Sequence, residues 1–244
     1  MKYALVTGAN KGIGREVARL LAQQGFFVYV GCRQLASGEA TVRELQAAGV
    51  MTLQAVQLDV TDPASIEAAR ATIEAQSPVL DVLVNNAGIS GGFPQSALDV
   101  TLAQFRTVFE TNLFGVAGVT QAFLGLLRHS PQPRIVNVST SMASLTLYAD
   151  IANPNFFWLA AYQTSKTALN MYTLHLAHEL RELPFKINAV CPGYTKTDFT
   201  GHQGTSTVEQ AGQRIAKYAL LGPDGPTGKY VSEEYFPAPA SCPW

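Results

Sequence analysis

Charge is scarce in these 244 residues: Lys, Arg, Asp and Glu make up 14% of the chain, where an average soluble domain has about 25%. So little charge implies a surface extensively covered by helices or by a subunit neighbour, which leaves both a monomer and a homo-oligomer compatible with the composition. The two signs nearly cancel, with 17 basic and 18 acidic residues and a net charge of -1. No basic field is available for nucleic acid or for an anionic membrane surface. Long apolar runs are also missing. The start, Met1 to Gly8, reaches a glycine after a few apolar residues, too short for a signal-peptide core or a membrane span, and a cytoplasmic location is expected. Only three cysteines occur, Cys32, Cys191 and Cys242. They are widely spaced, with no CxxC or Cys/His ligand spacing, so they read as free thiols and no metal is expected. No repeat, low-complexity tract or linker divides the chain.

What is present is apolar residue, 47% of the total, enough for one large α/β domain with a substantial core. Short apolar runs at Ala4 to Thr7, Phe26 to Gly31, Leu53 to Leu58, Val79 to Val84 and Ile135 to Val138, with Asp81 the one charge among them, are rich in β-branched residues. Strands buried on both faces have this composition. Between them lie stretches of helical period. Gly14 to Gln24 places Val17, Leu20 and Leu21 on one face and is stopped by Gly25. Asp62 and Pro63 suit the N-cap and first position of another helix. Strand and helix in alternation predict a doubly wound, Rossmann-like parallel sheet with helices on both faces. Thr200 to Thr207, rich in Gly, Thr and Ser, reads as a mobile loop.

Three features carry chemistry. The first strand runs into Thr7-Gly8-Ala9-Asn10-Lys11-Gly12-Ile13-Gly14 and then directly into a helix. Such a turn lets backbone approach a pyrophosphate and aims free N–H groups and the positive helix end at it. The second strand ends Val30-Gly31-Cys32-Arg33, without the acidic residue that would bind free ribose hydroxyls. Arg33 and Lys11 are instead two cations able to meet a 2'-phosphate, which points to NADP(H) rather than NAD(H). Tyr162 and Lys166 stand at i and i+4 of a helical segment and share a face. A phenol needs a neighbouring positive charge to exchange its proton near neutral pH, and Lys166 could supply it.

These pieces, with Leu58-Asp59-Val60, Asn85-Asn86-Ala87-Gly88, Thr111-Asn112, Arg134 to Ser139 and Cys191 to Thr197, resemble the short-chain dehydrogenase/reductase family in order and spacing over essentially the whole chain. The resemblance implies an NADPH-dependent oxidoreductase acting on a small carbonyl substrate. It implies Tyr162 as general acid, Lys166 as its pKa-lowering partner and ribose ligand, and Asn112 as the holder of a relay water. Gly8, Asn10, Lys11, Gly12, Ile13 and Gly14 would cradle the phosphates, and Asp59 and Val60 would contact the adenine. Asn86, Ala87 and Gly88 would meet the adjoining ribose, and Pro192, Gly193, Thr195 and Thr197 the carboxamide. Structural alternatives stand beside these roles: Asp59 as a cap, Asn85-Asn86 as turn formers, Asn112 as a helix distorter, and Pro192-Gly193 as a plain turn. A non-catalytic dinucleotide sensor is the alternative function, although such a protein would be expected to have lost the tyrosine or lysine.

Two departures from the family pattern stand out. The usual Ser-Ser pair ending the fifth strand reads Ser139-Thr140, so the substrate-orienting hydroxyl is assigned to Thr140, with Ser141 in reserve. Thr140 and Tyr162 are 22 positions apart, longer than the family spacing. This marks an insertion near 145–160 on the substrate side, with Phe156, Phe157 and Trp158 either lining an apolar pocket or anchoring the insertion. A second loop is expected near 196–208. The insertion and the Gly228 to Glu233 ending resemble the carbonyl-reductase branch.

Overall fold

Leu5 and its neighbours Ala4 and Val6 point to opposite sides of their strand and are all fully buried, so the first strand must be covered on both faces. The computed structural model, which describes residues 1–152, 157–237 and 241–244, shows how. Seven strands, β1 (Lys2–Thr7), β2 (Phe26–Cys32), β3 (Leu53–Gln57), β4 (Val82–Asn85), β5 (Arg134–Val138), β6 (Lys186–Val190) and β7 (Lys229–Val231), form one sheet. Their order is β3-β2-β1-β4-β5-β6-β7, with every neighbouring pair parallel.

Helices α1 (Gly12–Gln23), α2 (Leu35–Ala47), α3 (Pro63–Glu74), α4 (Leu102–Phe109), α5 (Gly115–Arg128), α6 (Leu145–Tyr148), α7 (Ala160–Glu179) and α8 (Val208–Ala219) connect the strands. One core joins Val17, Leu21, Leu45 and Ile215 to Val6, Val28 and Val84. The other joins Ile73, Phe123, Leu127 and Leu180 to Leu5, Leu83 and Ile135. Each such side chain contributes about 1.5–3 kcal/mol by leaving water.

The expected doubly wound sheet is therefore present. Asp62 caps α3 by accepting from the Ala64 amide, with Pro63 at the first position, and α1 stops at Gly25, whose φ is +84°. Several boundaries differ by one to three residues from the sequence reading. β4 begins at Val82 rather than Val79, because Asp81 turns its carboxylate to the Tyr3 amide and the Ser130 hydroxyl. α1 begins at Gly12 rather than Gly14, within the glycine turn. No helix among the described residues is long and apolar enough to cross a membrane.

The chain moves outward from β1 to β3 and then crosses back to β4, so β1 and β4 flank the point where strand order reverses. In open parallel sheets ligands bind beyond the carboxyl ends of the strands at such a point. The glycine turn follows β1, and Asn86 to Gly88 follow β4.

Candidate active site

The glycine turn is shaped by close backbone approach. Gly8 and Gly12 have φ of +62° and +55°, a region that costs other L-residues about 1 kcal/mol or more. A methyl on Gly8 would lie 3.0 Å from the Ala87 Cα, and one on Gly14 would enter the Asn86 amide and come within 2.5 Å of the Gly8 carbonyl. Asn86 is committed to the turn itself: its Nδ2 donates to the Thr7 and Gly8 carbonyls at 2.9 and 3.0 Å. Thr7 Oγ1 accepts from the Asn86 and Ala87 amides, both at 3.0 Å. The first turn of α1 has no side-chain cap and no acidic residue, and Ile13 packs on the core beneath it. This cradle fits a dinucleotide phosphate: its glycines leave no side chain in the way, and nothing negative competes at the helix end.

The two cations expected beside it have different surroundings. Arg33 follows β2 and is exposed; among the described residues its guanidinium has no hydrogen-bond or ion-pair partner. Lys11 reaches across the site to Asp198, Nζ to Oδ2 2.7 Å. Asn10 turns toward α2, its Nδ2 donating to the Ser37 hydroxyl at 3.3 Å and its carbonyl accepting from Thr41 at 2.7 Å. Asp59 does act as a cap, its Oδ1 accepting from the Thr61 amide and hydroxyl at 2.9 and 2.8 Å. Val60 is buried beside it.

Tyr162, Lys166, Asn112 and Thr140 are brought to one place by four elements. Between α4 and α5 the helix carries a π turn, Glu110–Phe114, a distortion frequent at functional sites. Asn112 lies in it, fully buried. Its Oδ1 accepts from the Ile89 amide, and its Nδ2 donates to the Ile89 carbonyl and the Ser165 hydroxyl, at 2.9, 2.9 and 3.0 Å. Both amide hydrogens are thus used. A methyl on Gly88 would lie 3.3 Å from Asn112 Oδ1 and 3.5 Å from Lys166 Nζ, so these three residues share a wall. Tyr162 and Lys166 lie one turn apart on α7, both buried. Lys166 Nζ donates to the Val138 carbonyl at 2.8 Å, and burial brings its pKa down to about 8.

Burial pushes the Tyr162 phenol well above its ordinary value, and the neighbouring Cys191 thiol adds to this; a hydrogen bond from the Thr140 hydroxyl acts the other way. Thr140 stands at the end of β5. Its hydroxyl also accepts from the Met142 amide at 3.3 Å, while its carbonyl accepts from the Tyr230 hydroxyl. Ser139 is turned away, donating to Asn170 at 2.6 Å. Ser141 opens a short 3-10 turn.

The segment after β6 closes the site from the far side. Several hydrogen bonds tie it to α8 and to the chain beyond β7. Gly193 has φ +90°, and Thr195 donates to its carbonyl at 3.1 Å. Arg214 of α8 donates to the Pro192 carbonyl and the Ser206 hydroxyl at 2.7 and 2.8 Å. Glu234 accepts from the Tyr194 amide at 2.8 Å and from the Thr205 and Ser206 hydroxyls at 2.7 and 2.5 Å. Thr197 donates its amide to Thr200 at 3.2 Å, and its methyl would be 3.7 Å from one on Gly12. Phe199 then lays its ring 5.6 Å from that of Tyr162.

Beside Tyr162 runs an apolar groove lined by residues 93–98 and 157–159. Phe93, Leu98, Phe157 and Trp158 expose large apolar surfaces there. Trp158 also packs edge-on against Tyr148 at 5.0 Å, so it both lines the groove and anchors the insertion; Phe156 lies outside the described residues. Sequence reasoning missed Gln95, Arg214, Glu234 and Phe199. Phe199 alone left a signal, by following directly on the Cys191 to Thr197 motif.

Residues 2–207 match the model of the short chain dehydrogenase family. The chain is similar to (-)-isopiperitenone reductase of Mentha piperita, 36% identical with 96% of each chain covered. Among solved structures it resembles NADPH-bound carbonyl reductase from chicken fatty liver, with a TM-score of 0.84, 28% identity, and 100% of this chain and 99% of that one covered. Salutaridine reductase of Papaver somniferum gives 0.82 at 29% identity, covering 93% of this chain and 98% of that one.

Proposed function

Because the chain belongs to the short-chain dehydrogenase family, we propose that it is an NADPH-dependent carbonyl reductase converting a ketone or aldehyde to an alcohol. The observation that carries this reading is the place of Tyr162: buried, one helical turn from Lys166, and hydrogen-bonded to Thr140. Its phenol keeps its proton at neutral pH and can give it to a strongly basic alkoxide oxygen as hydride arrives on the carbonyl carbon.

NADPH, when bound, supplies the hydride. Gly8 to Gly14 would hold its phosphates, Arg33 its 2'-phosphate, Asp59 and Val60 the adenine end, and Pro192 to Thr197 the nicotinamide end. Arg33 suits its part because its guanidinium is uncommitted, whereas Lys11 is engaged by Asp198. Thr140 orients the substrate oxygen toward Tyr162 and stabilises negative charge as it develops. Tyr162 protonates that oxygen. Lys166 supplies positive charge at the Val138 and Gly88 wall and a ligand for ribose hydroxyls, and the remaining lone pair of Asn112 Oδ1 can hold the relay water. The groove beside Tyr162 suits a substrate with a bulky apolar body, resembling in that respect the isopiperitenone and salutaridine reductases.

The test is oxidation of NADPH and NADH against a panel of cyclic and open-chain carbonyls. NADPH-dependent turnover is expected. Arg33→Ala should weaken NADPH by about tenfold or more, one charge-assisted contact being worth about 1.5–3 kcal/mol, and leave NADH unchanged. Absence of turnover across the panel would reject the activity, and an unchanged NADPH/NADH ratio would reject the role of Arg33.

A further inference from the structure

Gln95 sits in the segment after β4, outside every motif that marks the family, yet it is 3% exposed and saturated with hydrogen bonds. Its side-chain Oε1 accepts from the Tyr162 amide at 3.0 Å, and its own carbonyl accepts from the Ala160 amide at 3.1 Å. Its Nε2 donates to the Ser90 and Gly92 carbonyls, the latter at 2.8 Å. The first amides of a helix have no partner within it. α7 begins without a side-chain cap from its own N-cap residue Leu159. Two of its first-turn donors are satisfied instead by one residue 67 positions away from Tyr162.

The other end of the Gln95 amide fixes the loop that leaves Gly88 and Ile89. Ile89 holds Asn112 through both its amide and its carbonyl, and Gly88 faces Lys166. One side chain therefore ties the helix bearing the tyrosine to the loop that walls the lysine and asparagine. The Leu159 amide just before α7 is held locally by the Gln163 side chain, but the Ala160 and Tyr162 amides go to Gln95. Gln104 adds a second tie to the same loop through the Gly91 carbonyl at 2.9 Å, but it makes no bond to α7.

We infer that Gln95 is a positioning residue for the reduction: it caps the catalytic helix from outside and sets where Tyr162 stands relative to Lys166 and the bound carbonyl. It touches no reacting atom. The inference rests on the function proposed above, and it predicts that loosening Gln95 affects the chemical step more than binding. Displacement of a catalytic group by about 1 Å can cost on the order of 100-fold.

The decisive variant is Gln95→Met, similar in size and unable to make any of the side-chain bonds, while its backbone carbonyl still meets the Ala160 amide. Its kcat should fall by about tenfold to 100-fold, with the NADPH dissociation constant, read by fluorescence titration, within about twofold of wild type. The primary isotope effect with 4-deuterated NADPH should rise. Gln95→Glu keeps an oxygen on the Tyr162 amide at the positive end of the helix but sets its other oxygen against the Ser90 and Gly92 carbonyls. With the loop half of the tie broken its kcat should also fall by about tenfold or more, and a wild-type kcat in this variant would overturn the inference even if the methionine variant does not fold. Hydrogen exchange of peptides covering 159–166 should accelerate in Gln95→Met while those covering 167–179 keep their protection, a readout that survives if wild type reduces no carbonyl. Wild-type kcat and isotope effect in Gln95→Met would overturn the inference. So would losses of kcat and NADPH binding in equal proportion, or unchanged exchange at 159–166.

Discussion

Replacing Glu234 by Gln should open the segment between Pro192 and Thr207 without unfolding the sheet. The carboxylate accepts three hydrogen bonds, from Thr205, Ser206 and the Tyr194 amide, and lies 3.9 Å from Arg214. Hydrogen bonds to a charged acceptor contribute about 1.5–3 kcal/mol each, and neutral ones about 0.5–1.5. Glutamine keeps one oxygen, turns an N–H2 toward at least one donor, and removes the charge that Arg214 faces. The loss is about 2–3 kcal/mol, or roughly 30- to 150-fold in the equilibrium between closed and open segment. Lys196 is exposed within it, so trypsin in limiting amount reports the open fraction directly. Cleavage at Lys196 should accelerate by about that factor at pH 7, with the melting temperature nearly unchanged.

The same latch has a pH signature. Burial works against the Glu234 charge, but bonds from Ser206, Thr205 and Tyr194, with Arg214 nearby, hold the carboxyl below its ordinary 4.5. A depressed folded value means the contribution is complete above the unfolded value and is lost as pH falls through the folded one. Opening of the segment, read in acid by hydrogen exchange because a serine protease is inactive there, should therefore rise only on the acid side of 4.5, and Glu234→Gln should show no such rise. Cleavage within threefold of wild type at pH 7 would refute the latch.

Two other predictions concern the catalytic wall. Lys166 titrates at about 8 rather than 10.5 through burial, so its charge costs stability below pH 8, and that cost is relieved as pH rises toward 10. Wild type should gain up to about 3 kcal/mol relative to Lys166→Met over that interval; parallel urea-denaturation curves at pH 8 and 10 would contradict the burial. Thr140→Ser should preserve turnover, whereas Thr140→Val should lose on the order of 100-fold, the usual cost of one donor to a developing oxyanion. Ser141→Ala should be near wild type; the reverse ranking would move the role to Ser141.

What was legible in the sequence was local. Glycines in the first turn, Asp62 and Pro63 at a helix start, and Tyr162 and Lys166 one turn apart all express their geometry within a few residues. The sheet followed from the alternation of apolar runs and helical period. The clamps were not legible, because their partners are distant: Gln95 meets Tyr162 across 67 positions, Glu234 meets Tyr194 across 40 and Arg214 meets Pro192 across 22. The composition of Thr200 to Thr207 likewise says nothing of the carboxylate that reaches it from beyond β7. The pairing of Lys11 with Asp198, 187 positions away, was equally out of reach.

The central claim is that Tyr162 is the proton donor, and single-turnover reduction of a carbonyl by NADPH in Tyr162→Phe tests it most directly. The variant keeps the ring that packs against Phe199 and lacks only the hydroxyl. NADPH should bind as in wild type, with the rate of cofactor oxidation lower by at least the 100- to 10,000-fold typical of a lost general acid. A wild-type rate in Tyr162→Phe would contradict the account.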